Sequence, residues 1–199
     1  MSDDLELKVV KWIGKLSAEF DAKIDALKAE VDQLKSQIEN QQQAESEGEK
    51  LSVTVAREYI KNKISMEFPN LVFTNGSRAA GTKLTISDGT NTIGTLIRTS
   101  KSHRIQDGYP SGWINVDKET LSQNPLTFFV IEDFEGEFHT IIVPREQIKQ
   151  WAAKKNVDSS GKVHFYLNLI KGQWIDDRDN LNYNFTHFAE NWHLVKEAL

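Results

Sequence analysis

The sequence predicts an α/β (α+β) protein with a long N-terminal helix, and three observations carry that expectation. Residues 5 to about 43 contain no proline and repeat apolar side chains at helical spacing. From Ser52 onward the pattern changes to short β-branched and aromatic runs separated by Asp, Asn, Gly and Pro. Helical patterns open that second region, interrupt it at PREQIKQWAAKK and close it, which is the mixture expected of a layered domain.

The chain of 199 residues is long enough for one domain plus an appendage. Its 39% hydrophobic and 10% aromatic content suffices for a packed core, so wholesale disorder is excluded. The absence of cysteine removes disulfides, thiolate metal sites and a cysteine nucleophile together. No apolar run reaches the roughly 18 residues of a membrane span. The acidic start, MSDDLELK, lacks a signal-peptide pattern, and a cytoplasmic location is expected. A net charge of -5 speaks against a nucleic-acid binder over the whole surface and leaves room for a local basic patch.

The first element, residues 1–43, reads as a coiled-coil helix. Val10, Ser17, Ile24, Val31 and Ile38 occupy the a position of a heptad, and Ile13, Phe20, Leu27 and Leu34 occupy d. Only Ser17 is polar among these, and so narrow a stripe needs a second helix to cover it. Homo-oligomerisation, or docking on a helical protein partner, follows. β-branched residues at a with Leu at d favour a parallel pair, while Phe20, Val9 and Leu16 widen the stripe and keep trimers or another protein open. Across a parallel pair Glu30 and Lys35 attract, and Lys23 and Lys28 repel. Trp12 sits off the seam, as a wider bundle contact or a partner anchor. The polar face carries mixed charge, which argues against a membrane-surface helix. Residues 44–51 lose the repeat and read as a linker.

Residues 52–199 form the α/β domain. Val55, Tyr59, Ile60, Ile64 and Phe68 give a helix that Pro69 ends. Strands are expected at Leu71–Thr74, Lys83–Ser87 and Thr92–Thr99, the last two joined by the turn Asp88-Gly89-Thr90-Asn91. Trp113–Val116 is a further short strand, and Leu126–Ile131 with Glu137–Val143 form a hairpin about an acidic turn. Pro144 opens a helix at a position where proline is tolerated. A strand at Lys162–Leu169 and a closing helix at Phe185–Ala198 complete the order. Trp151, Trp174 and Trp192 are expected in the core, and Asp176, Asp177 and Asp179 in a solvated loop.

The order helix, three strands, IRTSKS and a downstream tryptophan, followed by FFVI and HTIIVP, resembles the PD-(D/E)XK, or restriction-endonuclease-like, superfamily over about Val53 to Leu194. The resemblance implies a Mg²⁺-dependent nuclease fold, with one carboxylate at the start of the second strand, another on the third and a lysine two residues later. At those positions this chain carries Lys83, Leu96 and Arg98, and no Asp or Glu occurs between Gly89 and Gln106. Hard cations need oxygen ligands, so the resemblance implies a degenerate member with no cofactor.

The surviving chemistry is cationic. Arg78, Lys83, Arg98, Lys101, His103 and Arg104, with Trp113 and Tyr109 nearby to stack on a base, read as a surface for nucleic acid or an anionic protein. Exposed strand ends commonly carry such residues for solubility alone. The alternative is an active nuclease with migrated ligands, holding Mg²⁺ through Glu58, Asp88 and Asp107 with Lys101 beside them. A third reading is a structural assembly subunit. The five histidines lack metal-site spacing, and neither a GxSxG nor a Walker loop is present. The leading expectation is a non-catalytic, oligomeric interaction protein; relatives of this kind would place it in a bacterial or phage defence or counter-defence system.

Overall fold

The computed structural model describes residues 12, 14, 16, 17, 19–28, 30, 31, 51–77, 81–103 and 108–199. The heptad positions Val10, Ile13, Leu34 and Ile38, and the basic or acidic candidates Arg78, Arg104 and Asp107, lie outside them. The chain divides into two compact units, Met1–Gly48 and Glu49–Leu199.

In the first unit, the described residues between 12 and 31 are all helical (α1). Phe20, Ile24, Leu27 and Val31 are 56%, 48%, 60% and 48% exposed, so the a/d stripe of a single copy faces water over this length. At about 25 cal/mol per Å² of apolar surface, that is an unfavourable state for four large side chains.

The second unit begins with α2 (Val53–Glu67), whose Ser52 Oγ accepts the Thr54 N–H at 3.2 Å. Among the described residues nine strands follow: β1 (Val72–Asn75), β2 (Leu84–Ser87), β3 (Thr92–Lys101), β4 (Ser111–Asp117), β5 (Leu126–Glu132), β6 (Phe138–Pro144), β7 (Lys162–Ile170), β8 (Gln173–Asp176) and β9 (Tyr183–Asn184). The helices α3 (Arg145–Lys154) and α4 (His193–Ala198) complete the unit.

The strands form two sheets, in the orders β1-β2-β3-β5-β6 and β4-β7-β8-β9. β3 and β5 run parallel, and the other strand pairs are antiparallel. The chain leaves the first sheet after β3, builds β4 in the second, and returns as β5. Side chains alternate along β5: Phe129 and Ile131 face the second sheet, while Phe128 and Val130 face α2 and α4. This two-sided burial explains the uninterrupted apolar run LTFFVI. One core, with Ile114, Val116, Phe165, Leu167, Trp174 and Trp151, lies between the sheets. The other, with Ala56, Ile60, Ile64 and Trp192, lies beneath the helices. All three tryptophans expected in the core are there, at 8%, 4% and 7% exposure for Trp151, Trp174 and Trp192. β4 approaches β5 closely at Gly112, where an added Cβ would stand 2.6 Å from Ile131 Cγ1.

Two expectations are corrected by the fold. The closing helix does not run from Phe185: the chain pairs Tyr183–Asn184 with β8, makes a 3-10 turn at Thr186–Phe188, and becomes α-helical only at His193. Asn184 Oδ1 accepts the Thr186 N–H at 2.9 Å and Thr186 Oγ1 accepts the Trp174 N–H at 3.0 Å, so polar side chains hold this segment to the sheet. Glu190, at φ 51, then breaks the helical path. Its N–H donates to Thr140 O at 2.8 Å and its Oε1 accepts the Thr140 N–H at 2.5 Å, which occupies backbone groups on the outer edge of β6.

The second correction concerns the acidic loop. Asp176 is not solvated; it ends β8 with no exposed surface and meets the equally buried Lys155 ammonium at 2.6 Å. Asp179 adds a second carboxylate 3.4 Å from the same ammonium, which also stands 4.9 Å from the Phe165 ring centroid.

Candidate anion-binding surface

β3 carries two of the basic candidates, Arg98 and Lys101, and its pairing with β2 sets a third, Lys83. Its register sets Leu84 opposite Thr95, which carries Lys83 to the level of Leu96 on the face turned toward the second sheet. Arg98 follows two residues later on that face. The three positions where the resemblance implies metal chemistry therefore lie together at one corner, and the side chains there are unsuited to Mg²⁺. Leu96 is 1% exposed in the inter-sheet core. Arg98 is partly buried, and its Nε has no hydrogen-bond partner among the described residues. Burial lowers the pKa of this guanidinium, and the carboxylate of Asp117 opposes that shift. Nε is closed off from solvent, so only the exposed part of this guanidinium is within reach of an anion's oxygen.

The acidic candidates of the nuclease reading are engaged elsewhere. Glu58 lies on the exposed side of α2, 2.9 Å from Lys61 and 3.7 Å from Arg57, and its pKa is lowered first by the Lys61 hydrogen bond. Asp88 Oδ1 accepts the N–H groups of Asn91 at 2.7 Å and Thr90 at 2.9 Å, and these bonds lower its pKa. Lys101 ends β3 opposite Glu132, with 3.8 Å between Nζ and Oε2. Among the described residues no three His, Asp or Glu side chains gather to hold a metal ion.

No family model, curated protein or solved structure matches this chain. The structure itself is therefore what bears on the site.

Trp113 and His103 belong to a ring cluster on the outer face of the second sheet. The β4–β7 register puts Trp113 opposite Tyr166 and Asn115 opposite His164. Trp113 Nε1–H donates to His164 Nδ1 at 3.0 Å, and His164 Nε2 meets Asp158 Oδ2 at 2.8 Å. Because Nδ1 accepts, the proton of neutral His164 sits on Nε2 and points at Asp158. The Trp113 and His164 centroids are 6.0 Å apart with planes at 30°, so this hydrogen bond sets the rings side by side rather than face to face. Tyr166 meets Trp113 edge-on at 5.8 Å, and His103 lies 6.5 Å from both. The Arg178 guanidinium stands 4.7 Å over the Tyr166 ring and donates to its hydroxyl. Trp113, Tyr166 and Arg178 are each half-buried.

Four members of this cluster, Asp158, His164, Tyr166 and Arg178, were not singled out in the sequence. They come from a strand and loops about fifty residues beyond Trp113, and only the β4–β7 pairing unites them. The alternation His164, Tyr166 along β7 was the available signal. β4 is also fixed to β3 by side chains of the IRTSKS segment: Ser100 Oγ accepts the Trp113 N–H at 3.0 Å, and Ser102 Oγ accepts the Ser111 N–H at 2.9 Å.

Asp158 carries a pH dependence. Burial alone would raise its carboxyl, but the Lys162 N–H, His164 and Ser160 outweigh it and hold the pKa well below the usual carboxylate range. A depressed folded-state pKa contributes stability that is present above the unfolded value and lost as pH falls through the folded one. Asp158→Asn is therefore expected to flatten the loss of stability below about pH 4, read from urea midpoints at several pH values.

Proposed function

We propose that this chain is a non-catalytic interaction protein that self-associates through α1 and holds nucleic acid on the cationic and aromatic surface of its second unit. The observation that carries the reading is the corner at β3. Lys83, Leu96 and Arg98 occupy it, so two cations and a buried apolar side chain stand where metal-binding carboxylates would be needed. The resemblance to the restriction-endonuclease-like superfamily supports the same reading, since the helix, the three antiparallel strands and the Trp113 strand follow in the order it implies. A phosphate oxygen suits the exposed part of the Arg98 guanidinium, and ring surface beside Trp113, on the outer face of the second sheet, suits an unstacked base. A role in bacterial or phage defence or counter-defence is the setting that the resemblance suggests.

The test is binding of fluorescent 20-nucleotide single strands by the full chain across a salt series. Affinity is expected to fall with salt, with a slope of roughly -0.7 per phosphate neutralised. Trp113→Ala is expected to weaken binding about tenfold or more, and Arg98→Ala to reduce the salt slope by about one. A response flat and near zero would favour an assembly subunit. Cleavage that disappears on chelation would overturn the non-catalytic reading in favour of a Mg²⁺ site built from Glu58, Asp88 and Asp107 with Lys101.

A further inference from the structure

We infer that α1 pairs with a second copy of this chain in antiparallel orientation, with Ile24 against Leu27 and Phe20 against Val31 of the other copy. The inference rests on the reading that α1 self-associates, and it fixes the direction of that pairing. The occupant is identified by charge. Asp21, Lys23, Lys28 and Glu30 are all exposed on described helix, and they take the e and g positions that flank the stripe. In a parallel, in-register pair each g residue meets the e residue five positions on, so Lys23 faces Lys28 twice across the seam, a repulsive arrangement.

Reversing one helix changes every one of these partners. In an antiparallel pair, a residues meet d residues, g residues meet g and e residues meet e. When Ile24 packs on Leu27, Phe20 packs on Val31 by the same alignment, and both layers occur twice through the two-fold axis. That alignment brings Lys23 to Glu30 and Asp21 to Lys28, again twice each. Four attractions replace two Lys23–Lys28 repulsions and two Glu30–Lys35 attractions of the parallel pair, a net gain, and the same alignment covers Phe20, Ile24, Leu27 and Val31, which are about half exposed in one copy. The helix's own Lys28–Asp25 contact, at 3.5 Å with both side chains more than 70% exposed, is weak enough for Lys28 to turn to a new partner.

The two orientations respond to one substitution with opposite sign. Lys23→Glu turns the Lys23–Glu30 attraction into repulsion in the antiparallel pair, and turns the Lys23–Lys28 repulsion into attraction in the parallel one. The experiment is sedimentation of the full chain over a concentration series for wild type, Lys23→Glu and Lys23→Glu/Glu30→Lys. The expected result is a dimer whose dissociation constant rises about tenfold in the single variant and returns toward wild type in the double one. The chain has no cysteine, so Ile24→Cys and Leu27→Cys chains provide a second readout. Disulfide dimers are expected when the two are mixed and not from either alone. A tighter dimer with Lys23→Glu, an unchanged one, or self-linked Ile24→Cys overturns the antiparallel arrangement while leaving self-association in place. A wild-type chain that stays monomeric at every concentration overturns the self-association reading itself.

Discussion

Replacing Lys155 by methionine is expected to lower the stability of the α/β unit by about 3–5 kcal/mol. Lys155 and Asp176 have no exposed side-chain surface and lie 2.6 Å apart. Removing one partner leaves a charge in a place water does not reach, and the methionine's added apolar contact cannot offset that. Asp176 Oδ1 also accepts the N–H groups of Tyr166 at 2.9 Å and Arg178 at 3.2 Å, so the carboxylate organises the end of β8 as well. Lys155→Met/Asp176→Asn is expected to recover much of the loss, because an amide keeps the acceptor and removes the charge. The pH dependence has a definite sign. Burial already raises the Asp176 carboxyl, against the pull of Lys155; without the ammonium it rises further. An acid with a raised folded-state pKa loses stability as pH rises, so the single variant's deficit should be largest near neutrality and shrink toward about pH 4. Urea unfolding of the three proteins at pH 4 and pH 7 measures both effects.

Phe129→Ala is expected to cost a further class of interaction, at about 3–5 kcal/mol. Phe129 sits at the middle of β5 with no exposed surface, 5.3 Å from the Phe165 ring and 6.4 Å from Phe185. Those rings belong to β7 and to the segment after β9, so one side chain joins the first sheet to the second and to the C-terminal return. The substitution opens a cavity where three elements meet, and rigid sheets on both sides limit its collapse. Phe129→Leu should retain more than half of the stability that the alanine variant loses. Denaturant midpoints, with unchanged slopes, are the measurement.

Much of the fold was legible because its elements carry local signals. The two-residue period of β2 and β3 around Asp88-Gly89 and the unbroken run of β5 each specify their own structure, whereas Pro144, expected in the first helical turn, ends β6 in extended backbone and α3 begins one residue later. The β7–β8 hairpin was not foreseen because its turn is Lys171-Gly172, with φ of 50 and 78. Lysine takes a left-handed conformation there without the Asn or Asp that usually marks such a turn. The C-terminal segment reads as one helix because its apolar spacing is helical. Side-chain hydrogen bonds from Asn184 and Thr186, together with the left-handed Glu190, hold it to the sheets instead. The candidate surface was legible only along β3, where its cations are neighbours in sequence. Its ring cluster depends on a pairing across about fifty residues, and Asp176 reads as solvated because its partner, Lys155, lies 21 residues earlier at the end of another element.

The excursion of β4 out of the first sheet and back governs how this unit must assemble. β3 and β5 are hydrogen-bonded neighbours, yet the chain between them supplies a strand to the other sheet. Neither sheet can be completed as a local hairpin stack: closing the parallel pair traps β4 against β7, a strand that has to arrive from far along the chain. The search for native contacts is consequently dominated by distant pairings, a topology that folds slowly for its size and in a concerted step. β5 therefore gains its two-sided burial only when both sheets and the helices are in place.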